Sequence, residues 1–329
     1  MLLAKENKKQ IKHRNRPKLS RGDIAFNIVN YTVFALITLA CVFPFYYLFI
    51  NTISSNELVR LGKIQLWPQE IHFENYVQVM KIDGIMDALL VSVARTVLGT
   101  LWTVAGSAFL GYLVTKQEMW LRKVWYRLIV ITMYFSAGLI PWYMNLRTLG
   151  FLDNFWVYVI PGLVSPYNVI LVKTFIEGLP PSLEESATLD GAGYTRVFAS
   201  VIMPLITPIL ATLCIFCAVG QWNSFTDTMM LMPSGKYYTL QFLLYKYQHE
   251  AQSLAALVRT TQDANAMANL ATKQTSLSVQ MTVAMVVTLP ILLVYPYFQR
   301  YFVKGIMIGF TGEGLDGGLS GRAVVLRRE

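Results

Sequence analysis

The chain has 329 residues, of which 54% are hydrophobic and 14% charged, against roughly 25% charged in an average soluble domain. With a mean hydropathy of +0.44, it carries more apolar surface than a water-soluble fold can hide, which excludes an ordinary soluble domain and makes the bilayer its solvent. The net charge of +9 is concentrated at the start, where Lys5, Lys8, Lys9, Lys12, Arg14, Arg16, Lys18 and Arg21 precede a long apolar run; that placement reads as a cytoplasmic membrane flank rather than a nucleic-acid patch.

The apolar run at 24–50 exceeds the roughly 7–15 residues of a signal-peptide core and lacks a small-residue cleavage site, so it is expected to stay as a membrane span. Five further stretches reach the length of about 20 apolar residues that a span requires, at 88–114, 124–146, 155–176, 203–225 and 277–298. Pro44, Pro141, Pro161, Pro208 and Pro290 fall inside them, and kinked helices are tolerated in lipid where they line a protein interior. With the N-terminus inside, the inner segments and their helix edges hold nineteen Lys and Arg and the outer segments eight, while Arg95 lies within a span. Both termini are therefore expected to be cytoplasmic. Trp120 and Trp125 then fall at the inner face, and Trp142, Tyr143 and Trp156 at the outer one, where amphipathic rings prefer the headgroup level. The outer loop 226–276 includes Leu254, Leu257, Val258 and Met267 at loosely helical spacing, an amphipathic outer helix that would either dock a partner or cover the mouth of the bundle.

The inner connection at 177–204 carries the densest signals. Gly178 can end the fourth span and Pro180-Pro181 prevent its continuation. Ser182 with Glu185 reads as a capping box opening a new helix. Asp190-Gly191 breaks it after about two turns, a second short helix places Val197, Phe198 and Val201 on one side, and Pro204 begins the fifth span. The result is a structured helix-turn-helix with an acidic edge of Glu184, Glu185 and Asp190. Acidic groups at an anionic inner leaflet argue against a helix lying on lipid and for one that meets a protein partner.

This segment resembles the EAA loop of ABC importer permeases, a pattern of Glu-Ala-Ala, three residues, Gly, nine residues and Ile-x-Leu-Pro. Here it runs Glu185-Ser186-Ala187, Gly191 and Val201-Ile202-Met203-Pro204, with Ser186, Val201 and Met203 as conservative departures. The fuller Glu-Glu-x-Ala-x-x-Asp-Gly-Ala form is similar to the carbohydrate-importing, maltose-type branch, as are Arg21-Gly22-Asp23, Ser136 to Pro141, Gly220-Gln221-Trp222-Asn223-Ser224 and Phe302 to Gly309. The resemblance implies an all-α polytopic membrane protein of the type I ABC importer permease fold. Its regions would be a basic cytoplasmic segment at 1–23, a six-helix transmembrane domain at 24–309 and a cytoplasmic tail at 310–329. It also implies a bacterial plasma-membrane location, a second homologous permease, two ATPase subunits that bind the ATP and magnesium, an extracellular solute-binding protein and an oligosaccharide substrate. Glu184, Glu185, Ala187, Asp190, Gly191 and Ala192 would form the ATPase-coupling element, Gly191 because a side chain would obstruct the sharp turn.

No G-x-x-x-x-G-K-[ST] loop is present, so an enzyme of the P-loop kind is not expected here and the energy source would be a partner subunit. Arg95 admits two readings, a cavity-facing cation suited to acidic sugars or a side chain snorkelling to the outer interface. Gln221, Trp222 and Asn223 likewise read either as amides and an aromatic plane for a sugar or as an interfacial Trp anchor. The Cys214–Cys217 C-x-x-C, far from any further Cys or His, reads as membrane-helix filler, and His13, His72 and His249 form no evident metal site. The competing classes are a permease for another solute, such as a peptide or polyamine, and a polytopic membrane enzyme; the latter would need reactive groups clustered at one membrane face.

Overall fold

The structure, a computed structural model, describes residues 20–249 and 277–311, with side chains through Val294. The basic leader, the expected amphipathic outer helix and most of the tail lie outside the described residues. Among the described residues every regular element is helical.

Helix α1 (Arg21–Thr52) starts at a reciprocal cap, in which the Ser20 hydroxyl accepts from the Gly22 N–H at 3.4 Å and the Ser20 N–H donates to Asp23 at 2.9 Å. The helix is apolar on every side and exposed until its last turn, where Ile50, Asn51 and Thr52 are buried. Such a helix belongs in lipid or against another apolar chain. Two short helices, α2 (Asn56–Arg60) and α3 (Glu74–Met80), pin that last turn. Asn75 Nδ2 donates to the Thr52 carbonyl at 3.0 Å, and the Tyr76 and Thr52 hydroxyls lie 2.8 Å apart.

Helix α4 (Ile85–Leu113) is the central rod. It contains no proline and runs unbroken for 29 residues. Its buried positions include Ser92, Arg95, Gly99, Thr103, Ser107 and Gly111, a stripe of small and polar residues at three- and four-residue spacing. Small residues let helix backbones approach closely in a membrane, and hydroxyls there bond to neighbouring segments.

The third expected span is two pieces, α5 (Arg122–Thr132) and α6 (Leu139–Thr148). Gly138 takes φ +88° between them, a left-handed conformation through which a right-handed helix cannot continue. The fourth expected span is also divided, into a 3₁₀ turn at Phe155–Tyr158 and α7 (Pro166–Glu177). Pro161, which has no N–H, lies in the irregular stretch between them, and Pro166 opens α7 as a first helical residue behind the Ser165 cap. The broken backbone is satisfied by α4: Thr103 Oγ1 donates to the Gly162 carbonyl at 2.6 Å, and the Ser107 hydroxyl accepts the Ser165 N–H at 3.0 Å.

After α7 come α8 (Ser182–Leu189) and α9 (Tyr194–Leu205), the latter widening to a π turn over Phe198–Ile202. Helix α10 (Thr207–Asn223) leaves α9 at 82°. The helix expected to begin at Pro204 instead includes Pro204 near the end of α9, and after the bend a new helix begins at Thr207. Pro208 cannot donate to the Pro204 carbonyl, which instead accepts the Thr207 hydroxyl at 2.8 Å. Helix α11 (Thr226–Leu231), a further helix α12 at 240–249 and the long α13 (Leu277–Thr311) complete the described elements. Helix α4 packs chiefly on α10 and α7, while α13 packs on α10, α1 and α3. Three described helices, α1, α4 and α13, are each long and apolar enough to cross a bilayer; α9 and α10 meet that length and hydropathy only when taken together as a bent pair.

A Cβ on Gly111 would lie 2.9 Å from Val172 Cβ and 3.1 Å from the Val169 carbonyl. Gly111→Leu is expected to destabilise the protein by about 1–3 kcal/mol through overpacking, read as a fall of a few degrees in the unfolding midpoint in detergent. An unchanged midpoint would mean that α4 and α7 do not meet this closely.

Candidate functional site

Two constellations sit along α4, one at its C-terminal end and one about three turns inside its N-terminal end. The first is the α8–α9 hairpin. The expected capping box at Ser182 and Glu185 does not form: Pro181 occupies the cap position with helical dihedrals, and Ser182 is the first helical residue without a capping bond. The carbonyls of Pro180 and Pro181 accept the N–H groups of Leu183, Glu184 and Glu185, so the turn is wound one residue earlier than the hydroxyl suggested.

At the far end of α8, Gly191 takes φ +81°, with the Gly191 N–H bonded to the Thr188 carbonyl at 3.0 Å and the Ala192 N–H to the Ala187 carbonyl at 3.1 Å. This is the left-handed helix ending that glycine favours. The expected obstruction is absent, since a Cβ there would meet nothing within 4 Å. Glycine is required by the backbone angle, not by crowding.

The hairpin's inner side is anchored. Val197, Phe198, Ile202 and Ile206 are buried, and Ala187 and Ala192 pack against them. The Phe198 ring lies 5.2 Å from Tyr112 and 5.4 Å from Phe109. The acidic edge divides: Glu184 turns inward, where its carboxylate accepts from the Lys116 ammonium and, at 3.2 Å, from the Tyr112 hydroxyl. Glu185, Asp190 and Gly191 stay exposed with Leu189, which is 89% exposed. A groove of about 760 Å³ runs beneath α8, bordered by Glu185 and Leu189 and lined by Lys116, Arg122, Glu177 and Tyr194 among others. At its rim Glu177 pairs with Lys173 at 2.6 Å and lies 3.8 Å from Arg122.

The second constellation surrounds Arg95, which is 3% exposed. Its guanidinium donates to both Asp227 oxygens at 3.0 and 2.5 Å, to the Ser224 carbonyl at 3.1 Å and to Gln221 Oε1 at 3.0 Å, and lies 4.5 Å from the Tyr158 ring centre. The snorkelling reading is thus overturned, and the charge is matched rather than free. Arg95 nevertheless borders a cavity of about 290 Å³ with Thr103, Gly162, Gly220, Gln221 and Ser224. Gln221 fits because residue 99 is glycine, where a Cβ would come within 2.6 Å of its amide nitrogen.

Trp222 is corrected on the sugar-site reading. It is buried, and its indole N–H donates to the Val287 carbonyl of α13 at 3.0 Å, so the ring packs between α10 and α13 and does not line the cavity beside Arg95. Asn223 is exposed and bonds back to the Val219 carbonyl at 3.0 Å. The two C-x-x-C cysteines are free thiols, and Cys217 accepts a bond from Asn168 at 3.2 Å.

Sequence reasoning missed Asp227, Tyr158, Tyr112 and Lys116. One signal was present for Asp227: an intramembrane arginine requires a countercharge, and Asp227 is the sole acidic residue between Asp190 and Glu250.

A family described as binding-protein-dependent transport system inner membrane component matches residues 106–308. Over 284 residues the chain is 30% identical to the polygalacturonan/rhamnogalacturonan transport system permease protein YtcP of Bacillus subtilis, covering 86% of this chain and 97% of that protein. It is 29% identical to Protein LplC of the same organism, covering 86% and 94%. A crystal structure of a bacterial ABC transporter involved in the import of the acidic polysaccharide alginate contains a chain similar at a TM-score of 0.75 and 30% identity, with 87% of this chain and all of that one covered.

Removing one member of a buried, hydrogen-bonded ion pair strands the other, at about 3–5 kcal/mol. Arg95→Met and Asp227→Leu alone are each expected to lower thermal stability and yield in membranes sharply, and the double variant to recover most of the loss. A double variant no better than the singles would show that the two charges act independently.

Proposed function

The chain belongs to the binding-protein-dependent transport system inner membrane components, and from that premise we propose that it carries oligosaccharides across a bacterial plasma membrane as one of two paired permeases. Six crossings place both termini and the α8–α9 hairpin on the cytoplasmic side, the third and fourth crossings each assembled from the broken pieces described above. Two ATPase subunits bind ATP and magnesium and act on the hairpin, and an extracellular binding protein delivers the sugar. This chain binds no cofactor of its own.

The observation that carries this reading is the two-sidedness of the hairpin. Its inner side is packed into α4 and α7, while Glu185, Leu189, Asp190 and Gly191 present an apolar and acidic exposed surface. A leucine at 89% exposure between two carboxylates, on an element held rigid from behind, suits insertion into a partner's cleft better than contact with an anionic leaflet.

The substrate we favour is an acidic oligosaccharide of the pectic or alginate kind, in line with the names of the relatives. The cavity bordered by Thr103, Gln221 and Ser224 offers neutral hydrogen-bonding groups suited to sugar hydroxyls. Because Arg95 is neutralised by Asp227, the cation that receives a uronate belongs to the second permease or to the binding protein on this reading.

Reconstitution with its partners in vesicles tests both levels. ATP-driven uptake of labelled oligogalacturonate is expected to exceed that of a neutral malto-oligosaccharide, and equal uptake of the two would refute the acidic preference. Glu185→Lys and Gly191→Trp are expected to cut uptake at least about tenfold, the second because a non-glycine residue in the left-handed region costs about 1–2 kcal/mol and tilts the turn. Full uptake in both would remove the hairpin from the coupling role.

A further inference from the structure

Resting on the reading of the hairpin as the element an ATPase acts upon, we propose that Glu184, Lys116 and Tyr112 form the joint through which its movement enters α4. Glu184 is a positioning residue of that joint and not part of the surface offered to the ATPase.

Glu184 shares the groove beneath α8 with Glu185 and Leu189, but differs from its acidic neighbours in pairing and burial. Its side chain is 27% exposed and that of Lys116 11% exposed, and the ammonium also lies 4.2 Å from the Tyr112 ring centre. Lys116 follows directly on the C-terminus of α4, with its N–H bonded to the Leu113 carbonyl at 3.0 Å. Glu185 and Asp190 make no salt bridge with any described residue and remain exposed.

Tyr112 is gripped by both arms of the hairpin. Its hydroxyl donates to Glu184 of α8, and its ring packs 5.2 Å from Phe198 of α9. The tyrosine is fully buried at the end of α4, so the hairpin cannot rotate relative to α4 without breaking a charged contact, a hydrogen bond or a ring contact. The other ion-paired acid near the hairpin, Glu177, ends α7 and pairs with Lys173 of that same helix at 2.6 Å. Its link to Arg122 is long at 3.8 Å and its side chain is 42% exposed, so it ties the hairpin to α4 less directly.

From this joint α4 runs without proline or break to the Arg95 cluster beside the cavity. Tyr112 and Arg95 lie about 26 Å apart along the axis at 1.5 Å rise per residue. A helix clamped at its C-terminal end by the hairpin and, about three turns inside its N-terminal end, by Asp227 and Gln221 turns a push on α8 into displacement of the cavity wall.

Two readouts test the joint separately from the transport reading. The first is sugar moved per ATP hydrolysed in vesicles holding the complete assembly. Lys116→Met and Glu184→Gln are each expected to lower this ratio roughly fivefold while the ATPase subunits still co-purify in full, and the exchanged pair Lys116→Glu with Glu184→Lys to restore it to within about twofold. Loss of the ATPase subunits from Glu184→Gln alone, or an exchanged pair no better than either single, would overturn the proposal. The second readout is the distance distribution between spin labels at Leu189→Cys and Glu118→Cys, with Cys41, Cys214 and Cys217 replaced. It is expected to be narrow in the parent and broadened by Lys116→Met, and an equally narrow distribution in that variant would also overturn the joint. Broadening without any ATP-driven uptake by the parent assembly would instead support the joint and count against the transport reading.

Discussion

Every backbone N–H and C=O held at membrane depth needs a partner inside the protein, because lipid supplies none. That constraint organises this chain around one helix. Helix α4 is continuous and satisfies itself, and its buried side presents Ser92, Thr103 and Ser107 to segments that are not continuous. Thr103 and Ser107 take up the loose carbonyl and N–H groups of the stretch between Tyr158 and Pro166, and the Ser92 hydroxyl accepts the Leu240 N–H at 2.8 Å at the start of α12. The glycines in the same stripe leave room for α10 and α7: a Cβ on Gly99 would meet Gln221 and one on Gly111 would meet Val172. The irregular backbone around the cavity exists because α4 carries its unmet hydrogen bonds.

The same helix handles charge differently at its two ion pairs. At Arg95 the donors are spent on Asp227, Gln221 and the Ser224 carbonyl, an arrangement in which desolvated charge is tolerable because it is paired and multiply bonded. At Lys116 the pair is less enclosed, at 11% and 27% side-chain exposure, and borders a groove, but it is backed by the Tyr112 hydroxyl and ring. The two pairs thus differ in enclosure: the one beside the cavity is buried and multiply bonded, the one beside the hairpin is open to a groove on one side. The neutral character of the cavity follows from the first of these, since an arginine matched by aspartate leaves amide and hydroxyl groups as the polar lining.

Much of this was legible in the residues alone. The hairpin was readable because its punctuation is local: Gly178, Pro180-Pro181 and Asp190-Gly191 act through backbone angles that depend on one or two residues. The breaks within the third and fourth apolar stretches were not, because hydropathy records where a segment prefers to be and not whether its helix is continuous. Thr103 and Ser107, which make the second break tolerable, lie 59 and 58 residues from their partners. Trp222 misled for a related reason. Beside two amides it suggested a sugar site, but three consecutive residues of a helix face different ways, and its indole faces α13.

What the sequence determined by itself is the solvent, the helical class and the bent acidic hairpin, since these follow from composition, segment length and short-range backbone preference. Tertiary structure alone decided how the acidic residues of α8 divide, Glu184 inward and Glu185 outward, because that depends on a lysine 68 residues away. It also decided that Arg95 is paired rather than free, through an aspartate 132 residues away. Charge type is written locally, but whether a charge is spent or available depends on which other groups the fold brings within bonding distance.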